Sequence, residues 1–390
     1  MLRAARERAE LSQGAAAEAV GVNRMLLNAY ETGRRQVPLT VAATLARLYG
    51  TSLESLLAGE EPIESRLDVS GMLFRAAPSN LGDSAKAGLR LFEQRVSEYV
   101  ELAREMRVKL PGPGRSPLPA VPGVSPKEAA RQLRLHLNLG GGALGDPFRV
   151  LDEHVLIWRL PLGADLRIAP SGFFYNHPEA GFCVVVNSEM TLGRQVFTLA
   201  HELAHAYFHS QDSNVMVSMP RVDNARERFA DTFAGEFLVP GDELRRAVNK
   251  LATFDELTDP TLVVHLQRHF GVSFATLRVR LLQEQLISRS YYEALGEVSP
   301  SRLALALGYQ VDPADLGSYE LHPLAAQPTQ ILRLVRAALE HAVITTGDAA
   351  EILGTSTEEI RQLRARLGPA DDERRIQQDL EDAAFGNRER

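Results

Sequence analysis

Apolar positions recur at helical spacing over most of the chain, and strand-like runs are confined to its middle. Residues 1–58 alternate short helical patterns with turn signals. A connector over 59–83 follows, containing Gly59, Pro62, Gly71, Pro78 and Gly82. A long helix is predicted at 84–110, where Leu89, Phe92, Val96, Val100 and Ala103 fall on one stripe. That stripe is expected to pack on its own chain; the alternative is a spacer or dimer contact. Pro111-Gly112-Pro113-Gly114 opens a proline-rich stretch to Pro126 that reads as linker. Pro126–Leu139 reads as helix, Val150–Leu160 and Phe182–Asn187 as strands, and helices dominate from Gln195 onward. Strands followed by helices predict an α+β domain at 125–287. The remainder, 288–390, reads as helical with a charged tail starting at Asp371. The expected organisation is therefore multidomain and mainly α. It comprises an all-α domain at 1–58, a linker with its long helix at 59–124, an α+β domain at 125–287 and a helical C-terminal region at 288–390.

Composition narrows this picture only a little. With 390 residues, two to four domains are expected. A net charge of -7 excludes a polycation, although a small DNA-reading domain can sit within that average. The one cysteine, Cys183, excludes an intrachain disulfide and, inside Phe182-Cys183-Val184-Val185-Val186, is expected to be buried and inert. No apolar run approaches the ~20 residues of a membrane span. Met1-Leu2-Arg3-Ala4-Ala5-Arg6 has no apolar core after it, as a signal peptide would. A cytoplasmic protein without a membrane partner is expected.

The chemistry concentrates in His201-Glu202-Leu203-Ala204-His205, an H-E-x-x-H motif. Residues four apart share a helix face, so both imidazoles reach one ion and Glu202 serves as general base. Neither proline nor glycine interrupts Gln195–His209. A catalytic zinc takes three protein ligands. Glu227, 22 residues past His205, is the best third one and opens a second helix with Phe229, Ala230, Phe233, Phe237 and Leu238 on its apolar side. Asp231 shares the face of Glu227 and is placed to accept a ligand imidazole's free N–H, its alternative being a surface carboxylate. His209 competes with Glu227. On a straight helix, however, four residues rise ~6 Å, too far for three histidines to converge on one ion. His209 is expected to pack or to line the cleft. His265 and His269 have no acid between them and are expected at the surface or in packing.

These residues resemble the ImmA/IrrE family of zinc-dependent peptidases. The matching segments are Ser171-Gly172-Phe173, Val184–Ser188, Gly193 through His205, Glu227 through Pro240, and Phe270-Gly271-Val272-Ser273 with Arg280-Leu281. Where Asp231 stands the family usually has Asn. The resemblance implies a thermolysin-like (gluzincin) metallopeptidase domain, with zinc (manganese as the alternative ion) held by His201, His205 and Glu227. It also suggests a substrate peptide added to the strand Val184, Val185, Val186 and Asn187. Tyr175 and His177 are weak candidates for oxyanion donors.

The first region resembles a helix-turn-helix domain of the XRE type, through Leu11-Ser12-Gln13, Ala17, Val20-Gly21-Val22-Asn23, Leu26 and Tyr30–Arg35. Ser12 caps its second helix, Gly21 makes the turn and Asn23 caps the recognition helix. Arg24, Met25 and Asn28, with Gln13 and Asn23, are expected at the major groove, and Arg34 and Arg35 at phosphates. Residues 1–58 hold seven Lys/Arg against five acids. So modest a balance predicts weak DNA binding by a monomer, and hence a homodimer. Residues 344–367 read as two short helices about Gly354, expected to serve packing or interaction rather than DNA.

Together these features imply a DNA-binding transcriptional regulator carrying a zinc endopeptidase that cleaves a repressor-type protein, or itself, in a stress or mobile-element response. Its partners would be a double-stranded operator and that protein substrate. Two alternatives are a DNA-binding sensor whose peptidase fold binds without turnover, and the antitoxin of a toxin–antitoxin pair.

Overall fold

The computed structural model describes residues 2–9, 11–49, 53, 56, 81–118, 123–165, 167–210, 215–219, 224–251, 259–310 and 321–367. The connector before residue 81 and the charged tail lie outside them. Contacts divide the chain into two units, one from 1–112, 160–170 and 322 onward, the other from 113–159 and 171–321. The expected break at 288 does not follow the packing. Leu295 and Ala304 are buried in the same core as the helix of the H-E-x-x-H motif, which draws 288–310 into the second unit.

The first unit begins with α1 (Leu2–Arg8), α2 (Gln13–Ala19), α3 (Arg24–Glu31) and α4 (Leu39–Tyr49). Their small core is built on Ala5, Leu11, Ala16, Leu27, Tyr30 and Leu45. Ser12 accepts the amide of Ala15 at 3.1 Å and Asn23 that of Leu26 at 2.8 Å, so both helices start where a capping side chain satisfies an orphan N–H. Gly21, at φ +68°, takes the left-handed conformation that turns α2 into α3. Arg6 pairs with Glu31 at 2.6 Å and ties α1 to α3.

The long helix α5 (Asp83–Glu105) buries Leu89, Phe92, Val96, Val100 and Ala103. It ends at Glu105, five residues short of the prediction, and the chain turns away at Arg107, which takes φ +55°.

In the second unit, α6 (Pro126–His136) and the short α7 (Pro147–Leu151) precede a sheet of β1 (Leu156–Leu160), β2 (Gly172–His177), β3 (Gly181–Asn187) and β4 (Val215–Ser218), in the order β1-β3-β2-β4. β2 runs antiparallel to both neighbours. His177 closes the β2–β3 hairpin, its Nδ1 accepting the amides of Glu179 and Ala180. That contact binds His177 to the turn through Nδ1 and leaves its proton on Nε2. β3 is buried along its whole length, with Cys183 fully enclosed and its thiol pKa raised by burial.

α8 (Leu192–Ala204) packs on β3 and on α9 (Ala225–Leu238), which in turn packs on α6. α10 (Gly241–Leu251), α11 (Pro260–Phe270), α12 (Phe274–Gln283), α13 (Arg289–Ala294) and α14 (Pro300–Ala306) complete the unit. The buried Arg280 of α12 joins several of these elements. It donates to the Val239 carbonyl at 3.1 Å, pairs with Glu284 at 3.1 Å, and contacts Glu236. Glu284 is also met by Lys127 at 2.7 Å and Arg245 at 2.5 Å.

The C-terminal helices α15 (Thr329–Glu340), α16 (Thr346–Leu353) and α17 (Thr357–Leu367) return to the first unit, where α15 and α16 pack on α5. Arg95 of α5 donates to the carbonyls of Glu351 and Ile352, supplying a cation where the end of α16 leaves carbonyls unpaired. The stripe on α5 is thus covered by its own chain. The two short helices about Gly354 exist as expected, and α16 spends its apolar side on this packing.

Candidate metal centre

α8 carries the H-E-x-x-H residues into the core, because its apolar positions Val196, Leu199, Ala200 and Leu203 are almost fully buried. His201, Glu202 and His205 are enclosed with them. α9 brings Glu227 to the same place, its start fixed by Asn224, which accepts the amides of Arg226 at 2.9 Å and Glu227 at 3.0 Å.

Three donor atoms converge. His201 Nε2 lies 3.1 Å from His205 Nε2 and 3.1 Å from Glu227 Oε2, and His205 Nε2 lies 3.6 Å from Glu227 Oε1. A tetrahedral ion with bonds of about 2.0–2.1 Å needs donors about 3.3–3.4 Å apart, so the spacing suits zinc. Two imidazoles and a carboxylate are also the donor chemistry zinc takes. Among the described residues, these three form the group of His, Cys, Asp and Glu whose ligand atoms lie together in this way.

The charges point the same way. Glu202 is fully buried and neither of its carboxylate oxygens makes a well-formed hydrogen bond. Burial raises its pKa to about 7, against the opposing pull of His201 and Ser218. A buried carboxylate left so exposed to desolvation calls for a polar occupant next to it. Burial acts to lower the pKa of His201, but its hydrogen bonds to Asp231 and Glu227 outweigh this and raise it to about 10. His205 is held neutral by burial and by its histidine neighbours. The site attracts one positive charge to its centre.

Behind the donors, Asp231 Oδ1 lies 2.9 Å from His201 Nδ1. Asp231 is largely exposed, yet its carboxylate reaches the ring it was expected to meet. His209 is half-buried and packs against Phe229. The chain widens into a π turn over His205–His209, and His209 Nδ1 stands 3.0 Å from His205 Nδ1. His265 meets the Tyr309 hydroxyl and His269 is exposed beside Phe270, as expected of packing and surface histidines.

The strand expected to hold substrate is corrected. Val184, Val185, Val186 and Asn187 lie in β3, between β1 and β2, and an added strand needs an edge with unpaired backbone. Such edges belong to β1 and β4. β4 is only four residues long, too short a run to show a period of its own.

Gly172 is a further residue whose meaning emerges only in three dimensions. It sits on β2 between Val186 and Ser218. A Cβ there would lie 2.5 Å from the Val185 carbonyl, 2.6 Å from Thr198 and 3.4 Å from Glu202. Gly172→Ala is expected to cost about 1–3 kcal/mol by overpacking, read as a lower urea midpoint with unchanged slope.

On the all-α domain, Arg24, Met25 and Asn28 form an exposed face of α3, with Met25 81% exposed. Gln13 joins them: its amide donates to Asn28 at 3.2 Å and it accepts from Arg24 at 3.2 Å. Arg34 and Arg35 are exposed beyond the end of α3. Asn23 is exposed while serving as the cap.

Fold and site define two classes within one chain: a helix-turn-helix domain and a metallopeptidase-like domain. Comparison with known families agrees. Residues 1–58 match the helix-turn-helix domain, and residues 164–282 match the IrrE N-terminal-like domain of the M78 peptidases. The chain thus joins a DNA-binding helix-turn-helix to an ImmA/IrrE-type domain, and His201, Glu202, His205, Glu227 and Asp231 all fall within the second match. No curated protein matches the chain. Among the described residues, no helix is long and apolar enough to cross a membrane.

Proposed function

We propose that this chain is a transcriptional regulator whose IrrE-like domain is a zinc-dependent endopeptidase of narrow specificity, acting on a repressor-type protein. The observation that carries it is the convergence of His201, His205 and Glu227 beside the buried, orphaned carboxylate of Glu202. His201, His205 and Glu227 would hold zinc, which when bound would supply Lewis acidity toward the scissile carbonyl and a water. Glu202 takes the proton of the attacking water and passes it to the leaving amine. Asp231 accepts from His201 Nδ1 and keeps that ring turned toward the centre. The substrate backbone pairs with the outer edge of β4, next to Ser218 and hence to Glu202. The helix-turn-helix binds an operator as a dimer, with Gln13, Arg24, Met25 and Asn28 toward the bases and Arg34 and Arg35 toward phosphates.

The test is cleavage of an XRE-type repressor by the full chain. Wild type is expected to bind about one zinc per chain, and to lose both metal and cleavage in the His205→Ala variant. Zinc-free wild type, or cleavage that survives thorough chelation, would overturn the proposal. Failure to bind the chain's own upstream DNA at low salt would overturn the operator role.

A further inference from the structure

Each imidazole of the donor set has an outward nitrogen as well as an inward one. Behind His201 stands Asp231. Behind His205 stands His209, with Nδ1 facing Nδ1 at 3.0 Å. The two rings are 5.1 Å apart, centroid to centroid, at 45°. Phe229, two residues past Glu227, meets the His209 ring edge-on at 5.2 Å and holds its plane. The local backbone is adapted to this contact. A π turn, which departs from the regular α-helical ladder, begins at His205 and ends at His209.

Counting protons fixes the direction of the bond. A histidine that gives its Nε2 lone pair to a cation keeps its one proton on Nδ1. His205 must then donate, and His209 Nδ1 must present a lone pair. The remaining proton of a neutral His209 sits on Nε2. The same geometry excludes His209 as a ligand through Nδ1, because that atom faces the side of His205 turned away from Glu227.

We propose that His209 is a positioning residue of the metal centre: neutral and protonated on Nε2, it accepts the Nδ1–H of His205 and fixes that ring as a ligand through Nε2. This role rests on the zinc site proposed above. It makes the two histidines of the motif equivalent in support, one backed by a carboxylate from α9 and the other by an imidazole from its own helix.

The experiment compares zinc dissociation constants, by chelator competition, for the full-length wild type and the His209→Leu, His209→Asn and His205→Ala variants. Asn carries its Oδ1 where histidine carries Nδ1, so it restores an acceptor without an imidazole. His209→Leu is expected to weaken zinc binding about 10- to 100-fold, and His209→Asn to recover most of that loss. In zinc-loaded wild type, nitrogen-15 NMR of the imidazoles is expected to show His209 protonated on Nε2. Unchanged affinity in His209→Leu overturns the role of His209, as does an equal loss in both His209 variants or a His209 proton on Nδ1. Should His209→Leu fail to fold, the tautomer measured in wild type decides. A wild type that binds no zinc, or binds it as tightly after His205→Ala, overturns instead the zinc site itself.

Discussion

Glu202→Gln is expected to keep about one zinc per chain while cleaving a repressor partner about 10²–10⁴ times more slowly, the usual worth of a positioned general base. Gln has the shape of Glu but cannot take a proton. Shape matters here because Glu202 has no room to adjust: it is fully buried, and Gly172 is the only residue type that fits opposite it without overlapping the Val185 carbonyl. The substitution also replaces a carboxylate that burial disfavours by a neutral amide, so the folded protein is expected to be at least as stable. Metal analysis, thermal unfolding and single-turnover cleavage on the same sample separate these effects. Equal cleavage by the two proteins would remove Glu202 from the chemistry. Loss of zinc from Glu202→Gln would show instead that the carboxylate helps to hold the ion.

Arg280→Met is expected to cost about 3–5 kcal/mol, the range for removing one partner of a buried ion pair. Met reproduces the unbranched stem of Arg without its guanidinium, so it leaves Glu236 and Glu284 beside each other without their shared cation and strands the Val239 carbonyl that closes α9. Lys127 and Arg245 remain on Glu284 and limit the loss. Acid gives an independent check. Burial alone would raise the pKa of Glu284, but the Lys127 hydrogen bond and the charges of Arg280, Lys127 and Arg245 outweigh it and hold the carboxyl below its ordinary value. Its contribution is therefore complete above the unfolded value of about 4.3 and fades as pH falls through the lower folded value. Wild type is expected to lose stability across that interval, and Arg280→Met to lose less. A variant with the wild-type urea midpoint at neutral pH would show that the cluster adds nothing to stability.

Much of the site was legible because its signals are local. His201, Glu202 and His205 lie within one helical turn and a half, and Glu227 and Asp231 share a face of the next helix, so periodicity alone brings them to the right sides. The caps Ser12 and Asn23 were legible for the same reason, since a cap acts three residues along. What escaped was set by pairing across the chain. β4 is only four residues long, and nothing in Val215–Ser218 announces a strand that pairs along the edge of β2. The apolar run Val184-Val185-Val186 signals a buried strand, and that same burial is what removes it as a place for substrate. His209 was judged on a straight helix, and the π turn that brings it against His205 has no residue signature in His205–His209. The grouping of 322 onward with the first unit depends on which apolar faces meet, which spacing within each helix does not encode.

The return of α15 and α16 to α5 bears on how autoproteolysis would show itself. Residues before 113 and residues after 321 belong to one body, closed by Arg95 on the end of α16. A single cut anywhere between them would break the covalent chain while leaving the helix-turn-helix fastened to the C-terminal helices. Such a nicked molecule would elute from a sizing column as an intact one does, and would fall into two pieces only on denaturation. Severing the middle of this chain would therefore leave its two ends in one body.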